Sequence, residues 1–500
     1  MTSGAGRLFE AVYGADEDAV VRLLRSGVPA EAVDEDGESV LHRAAVDGRT
    51  GIVRLLLAAG ADPDRACGDG SFEGGDLPLC GAAAHGHERT VRALLAAGAR
   101  PDLREAFDRT ALVWAVRYGH PGTVRALLES GADPALPDGE GVTPRTLAVR
   151  QGSSPVVRAL LESGAGTAER LALLAEARAW LGRDVERELR AGLTAAYGEG
   201  LELTARRIVE DGGVTVVVGA VRDGAPGPAA ERRTGHAAIV TMLEAGLGIR
   251  TPCAELAERA LRGGPRGVDN WREQVLTLGG RADEETLIAA EAWCADADPR
   301  RQAFGADVLG RPGPPGPLAA RAVAALRALS RRARDAEPVL AAVAGLGLRG
   351  DPSALPEIAR HAGHPDPAVR RQVAESLPGA VATEPEAPPV AVAALIALCR
   401  DRAASVRDRA AHGLAGLRAD TPALRDTLAG LLDAPDGGRP VADAALGLAL
   451  RQDPRAEAAL LRLLEEADPD PYALTTAREA TALIHDAAIR RRLEGATPRR

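Results

Sequence analysis

Five hundred residues exceed what one compact hydrophobic core organises, so the chain divides into several domains or an extended repeat array. Hydrophobic residues reach 46% while aromatic ones supply 2%; Ala, Leu and Val carry the apolar content, which favours short, close-packed helices. A net charge of −10 excludes a global attraction to nucleic acid or anionic membrane, and no apolar run approaches the length of a membrane span.

Arginine carries all the positive charge, and Asn270 is the single asparagine. That bias fits codon pressure in a GC-rich bacterial genome. The opening MTSGAGRLFEAVYG has no basic stretch followed by an apolar one, so no leader is visible. Cys67, Cys80, Cys253, Cys294 and Cys399 are scattered without CxxC spacing, which suits a reducing cytoplasm.

A short unit, RLFEAVYGADEDAVVRLLRSG, opens the chain at residues 7–27. The segment 38–64, ESVLHRAAVDGRTGIVRLLLAAGADPD, then recurs at 76–102, 109–135 and 142–166. Gly98, Gly131 and Gly164 lie 33 apart, as do Gly27 and Gly60; Gly60 to Gly98 is 38 because GDGSFEGGD adds five residues. Small alanines let a first helix lie flat, a V-x-x-L-L run supplies a buried stripe for a second, and the glycine ends it. D-x-x-G makes the connecting turn. The run Ser39-Val40-Leu41-His42-Arg43-Ala44-Ala45 and the pair Thr143-Pro144 resemble the ankyrin repeat over roughly residues 5–168. In the last clear unit Arg145 and Thr146 replace the Leu and His of the motif, which suits either a polar cap or a degenerate continuation.

The resemblance implies that partners are met by hairpin tips and outward first-helix positions. Those are Glu35, Asp36, Arg43, Val46 and Asp47 in one unit, and Phe107, Trp114, Arg117 and Tyr118 in another. Trp114 aligns with Arg43 and is expected to point outward, sharing one face with Tyr118 four residues on. On that expectation, truncating both rings removes partner binding with little change in stability.

In the middle, LALLAEARAWL and DVERELRAGL read as helices. LELTARRIV-EDGG-VTVVVGAV (201–221) reads as a β-hairpin, and GAPGPAAERR (224–233) as a loop. GHAAIVTMLEAGLG (235–248) echoes the second ankyrin helix. A small α+β linker domain or a continued stack with an inserted β finger both accommodate this pattern, the first slightly better.

Further on, DPRRQAFGADVLG (298–310), HPDPAVRRQVAESL (364–377), RAASVRDRAAHGL (402–414) and GGRPVADAALGLAL (437–450) alternate with partner helices such as 318–329, 352–362, 390–400 and 423–432. Val369 to Val406 is 37 and Val406 to Val441 is 35. The D-x-x-V-R-x-x-A-x-x-x-L pattern resembles short bacterial HEAT repeats over about 284–495. The fold class expected is therefore mainly α: an α-solenoid with an N-terminal ankyrin stack, a C-terminal HEAT-like array and a small β-hairpin between. The boundaries expected are 1–168, 169–283 and 284–500.

GLGLRG (345–350) satisfies G-x-G-x-x-G, but it ends a helical run instead of following a strand, so a turn explains it better than a dinucleotide site. Cys67, Cys80, His85 and His87 lack paired zinc-ligand spacing. Arg370 and Arg407 read as a structural ladder in preference to a groove lining. No catalytic constellation, metal or cofactor is expected. The function expected is a non-catalytic protein–protein interaction scaffold with a protein partner, no membrane and no evident small-molecule ligand. Nucleic acid is disfavoured, IRRRLEGATPRR being its best support. The alternative is an enzyme or a lyase-like accessory protein, because short HEAT-like repeats also occur in phycobilin lyases. It requires His236, Cys253, Glu255 and Asn270 to converge in a pocket.

Overall fold

The computed structural model describes residues 4–67, 75–105, 108–198, 200, 202–222, 225–382, 386–433, 438–466 and 470–496. The chain forms two compact units, one of residues 1–252 with 262–274 and the other of 253–261 with 275–500.

The first unit is a stack of helix pairs: Gly4–Tyr13 with Glu17–Arg25, Val40–Val46 with Thr50–Ala58, Pro78–Ala84 with Glu88–Ala96, Ala111–Tyr118 with Pro121–Glu129, and Pro144–Gln151 with Ser154–Glu162. Ser39, Thr110 and Thr143 start the first helices by accepting a hydrogen bond from the amide three residues on. Gly27, Gly60, Gly98, Gly131 and Gly164 follow the second helices with φ between 90° and 97°, a region that only glycine enters without strain. One buried apolar cluster runs from Leu8 through the stack to Leu243. Leu173, Leu174, Ala177, Ile239 and Leu243 belong to it, so helices Thr167–Leu181 and His236–Gly246 form a further pair of the same stack.

The segment between these two helices is an insertion. Helix Val185–Tyr197 lays Leu189 and Leu193 on Val216 and Val218 of a three-stranded antiparallel sheet, β1 Glu202–Glu210, β2 Gly213–Arg222 and β3 Ala225–Arg233, in that order. The expected hairpin is present, with Val209 opposite Val214 and a two-residue turn at Asp211 (φ 51°) and Gly212 (φ 79°). The expected loop is corrected. Residues 225–233 are a third strand, because β2 continues past the first hairpin and offers its second edge, where Thr215 pairs with Arg233. Backbone bonds hold the insertion to the rest of the first unit: the Gly212 carbonyl accepts the Asp269 amide at 2.6 Å, and, just after β3, Gly235 N–H donates to Gly152 O at 3.0 Å.

The second unit repeats helical hairpins in which Pro299–Gly310, Ala336–Arg349, Pro367–Val381, Ala404–Gly416, Gly438–Leu450 and Pro471–Leu483 form an inner row, each packed on the next. Close approach there relies on absent side chains. A Cβ on Gly310 would sit 2.6 Å from the Gly345 Cα, and one on Gly347 would sit 2.5 Å from the Ser376 Cβ. GLGLRG is thus mostly helix interior, with Gly350 (φ 64°) as its left-handed terminus. Buried Arg370 chelates Asp401 at 2.6 and 2.8 Å and reaches the His364 and Pro365 carbonyls, while Arg407 donates to the carbonyls of Asp401 and Arg402.

Candidate interaction surface

Two hairpin tips of the first stack are each folded by a carboxylate. Asp34 Oδ1 accepts the amides of Asp36 and Glu38 at 3.1 and 2.9 Å, and Asp138 Oδ1 accepts those of Glu140 and Val142 at 3.0 and 2.9 Å. This turn leaves Glu35 and Asp36 exposed at the tip. On the helix behind it Arg43, Val46 and Asp47 are half-buried. The Arg43 guanidinium is clamped by Glu38 at 2.7 Å and lies 5.7 Å from the Tyr13 ring centre, so it is committed to the fold more than expected. Val46 fills the space over Gly81, where a Cβ would come within 2.7 Å of it.

Glu105 takes the register position of Asp34 and Asp138, five residues before the helix cap, and its amide makes the same backbone bond, to Arg109 O at 3.1 Å. One methylene longer, its carboxylate reaches past the turn and accepts the Trp114 indole N–H. Burial pushes the Glu105 carboxyl up to about 7, against the stabilising pull of the Trp114 and Arg109 donors. Trp114 is therefore not outward-pointing. It is half-buried against the core, hydrogen-bonded to Glu105, flanked by the Arg109 guanidinium at 5.0 Å and covered by Tyr118 at 5.8 Å and 8°. Tyr118 is the outer ring, 51% exposed, and His120 stacks beyond it at 6.5 Å. Arg117 is exposed and makes no ion pair among the described residues. Phe107 lies outside the described residues. Sequence reasoning missed Glu105, although a Glu in the register of two turn-forming Asp residues was a readable signal.

The residues of the enzymatic alternative are each engaged separately. His236 is buried and stacked on Trp180 at 5.1 Å, and burial holds its imidazole down to about 4. Asn270 accepts the Ala238 amide and donates to the carbonyls of Thr234 and Gly263. In the other unit Cys253 meets Arg281 at 3.4 Å, and Glu255 pairs with Arg259 at 2.6 Å. Cys67 Sγ bonds Ser39 Oγ at 3.1 Å, His85 bonds Gly81 O at 3.0 Å, and His87 bonds Val46 O at 2.9 Å. Among the described residues no cluster of three or more His, Cys, Asp and Glu is arranged to hold a metal ion, and no helix is long and apolar enough to cross a membrane.

The geometry defines an α-solenoid built of two repeat classes, and the comparisons with known proteins name them. Residues 8–105 and 79–169 match the family described as ankyrin repeats (3 copies), and residues 323–415 match HEAT repeats. Protein phosphatase 1 regulatory subunit 27 of Mus musculus is 40% identical over 76 residues, which are 15% of this chain and 46% of that protein. The Homo sapiens protein of the same name is 38% identical over 76 residues. The chain thus spans about half (46%) of the length of the curated relatives it matches.

Proposed function

We propose that the chain is a non-catalytic scaffold that captures a protein partner on the hairpin tips and first helices of its ankyrin stack. One observation carries the reading: an exposed tyrosine is held flat on an anchored tryptophan, beside an exposed arginine that makes no ion pair among the described residues. Tyr and Arg dominate binding hot spots because they combine apolar area with directed hydrogen bonds. Pre-stacking on Trp114 lowers the entropy cost of fixing Tyr118 in a complex. Glu35 and Asp36, exposed at the hairpin tip of an earlier unit, add negative charge to the same stack. A relative named as a phosphatase regulatory subunit supports a partner-binding role over a catalytic one. On this reading residues 1–168 are the capture module, which helix pair 167–181 and 236–246 lengthens, and residues 284–500 are a second array. Five buried cysteines with free thiols suit a reducing, cytoplasmic setting.

A photo-crosslinking residue placed at Tyr118 is expected to trap a discrete partner, whereas the same residue at exposed Arg125 on a second helix is not. Affinity capture with the Arg117→Glu, Tyr118→Ala double variant, which carries no crosslinker, should lose the partner that crosslinking identified while the melting temperature stays unchanged. Equal trapping from both positions, or capture that survives the double variant, sinks the proposal.

A further inference from the structure

The second unit contains a cleft of about 200 Å³ enclosed by the end of helix Asp269–Arg281, the start of Glu284–Cys294, the end of Pro299–Gly310 and the proline-rich loop leading into Pro317–Arg332. Its walls are apolar, from Leu278, Leu287, Val308, Pro314, Pro315 and Leu318. Arg311 and Arg349 line it as well, with Asp283 the single carboxylate residue among the lining.

Several arginines of this array are ion-paired, and others, such as Arg451, spend their donors on backbone carbonyls. Arg321, Arg327, Arg370 and Arg425 in the same array each hold a carboxylate within 3.0 Å. Arg311 and Arg349 have no ion pair among the described residues. Arg349 donates only its Nε, to Leu309 O at 2.7 Å, which leaves the two terminal nitrogens for the cleft; Nη1 lies 4.0 Å from where a Cβ on Gly313 of the loop would stand. The stem of Arg311 is held down because residue 279 has no side chain: a Cβ there would be 2.5 Å from Arg311 Cγ. Asp283 caps the Thr286 amide with its Oδ1 at 2.9 Å and forms no ion pair with either arginine. A half-buried cation without a counter-charge is costly, and burial pushes the Arg349 pKa down, so an anion entering the cleft gains what the fold withholds. The first turn of the 16-residue helix Pro317–Arg332 also faces the cleft with no side-chain cap, adding positive potential of the same sign.

We propose that this cleft binds a small monocarboxylic acid, with Arg349 and Arg311 holding the carboxylate and the Leu, Val and Pro walls covering an aliphatic tail. Apolar cavities of about 150 Å³ accept a benzene-sized guest, so a space of this size takes a ligand of about ten heavy atoms. No ligand signature in the sequence marks the site, because its parts come from four separate segments.

Isothermal titration of the full chain with octanoate tests it, with octanamide as the neutral isostere. Octanoate is expected to bind with Kd on the order of 0.1–1 mM, the range for a ligand of this size. Octanamide should bind about tenfold more weakly, and Arg349→Met should weaken octanoate by about tenfold, since charge-assisted pairs are the stronger ones. Arg311→Met repeats that arm should the first variant fail to fold, and Ala319→Trp should block binding by filling the cleft. Absence of saturable heat to about 10 mM, which is well above that range, overturns the proposal. So does equal affinity for acid and amide, or octanoate binding that neither arginine variant nor the Trp variant changes.

Discussion

Arg145 stands where Leu41, Leu79 and Leu112 stand in the preceding units, yet it is only 5% exposed. It is tolerated because the next helix brings Glu169 to 2.9 Å and the Leu160 and Gly164 carbonyls accept its remaining donors. Arg145→Ala strands that arrangement and should cost about 3 kcal/mol, whereas Arg145→Leu, which restores packing, should cost clearly less. Chemical denaturation of the two variants decides this, and equal losses would argue against it. Trp114 and Tyr118 separate in the same way. Trp114→Ala should destabilise by about 2–4 kcal/mol, because a half-buried ring and the donor to buried Glu105 go together. Tyr118→Ala should stay within about 0.5 kcal/mol, as exposed positions do; a comparable loss from both would place Tyr118 in the core. Glu105 gives a pH signature. Its folded pKa, about 7, lies above the ordinary 4.5, so the folded chain keeps a proton the unfolded chain has released. The site's stability is fully present below pH ~4.5 and is lost as the pH rises through ~7. Glu105→Gln should therefore raise the melting temperature at pH 8 and leave it nearly unchanged at pH 4; the same change at both pH values contradicts the assignment.

Among the elements, the clear ankyrin pairs were legible because each is defined by contacts within about 33 residues, and the Gly, Asp and Ser/Thr markers stay in register. The pair Thr167–Leu181 and His236–Gly246 was legible only in part: residues 235–248 echo the second helix, and a continued stack with an inserted β finger was one of two readings, the less favoured. What places the pair in the stack is that Leu173, Leu174 and Ile239 join the common core. The third strand was unreadable for a related reason. APGPAAERR has little β propensity, and pairing with the second edge of β2 overrides it. GLGLRG shows the reverse case, a legible motif whose meaning is supplied by neighbours. Gly347→Leu should cost about 1–3 kcal/mol, since the new side chain meets the Ser376 backbone and Cβ in a row that cannot spread. An unchanged unfolding midpoint by circular dichroism would show that the inner row is looser than its geometry.

At the scale of the molecule, stability in each array accumulates from neighbour to neighbour, and end repeats have a neighbour on one side only. Hydrogen exchange should therefore be graded within the second unit, with helices Pro471–Leu483 and Ala487–Glu494 exchanging before Ala336–Arg349 and Pro367–Val381. Uniform protection along that array would mean a single cooperative core and would contradict the repeat account. The sequence by itself determined the repeat classes, their period, the helices and the turns, because these follow from contacts between residues close along the chain. It also singled out the stretch from residue 107 to 120 as rich in aromatic rings. Only the tertiary structure decided which ring there is anchor and which is exposed, that the first stack continues past an insertion, and that two arginines share one cleft. Those outcomes depend on what lies across the fold, such as a carboxylate for Trp114, a core for Ile239 and, among the described residues, no ion pair for Arg349, and burial by distant partners leaves no periodic trace in the chain.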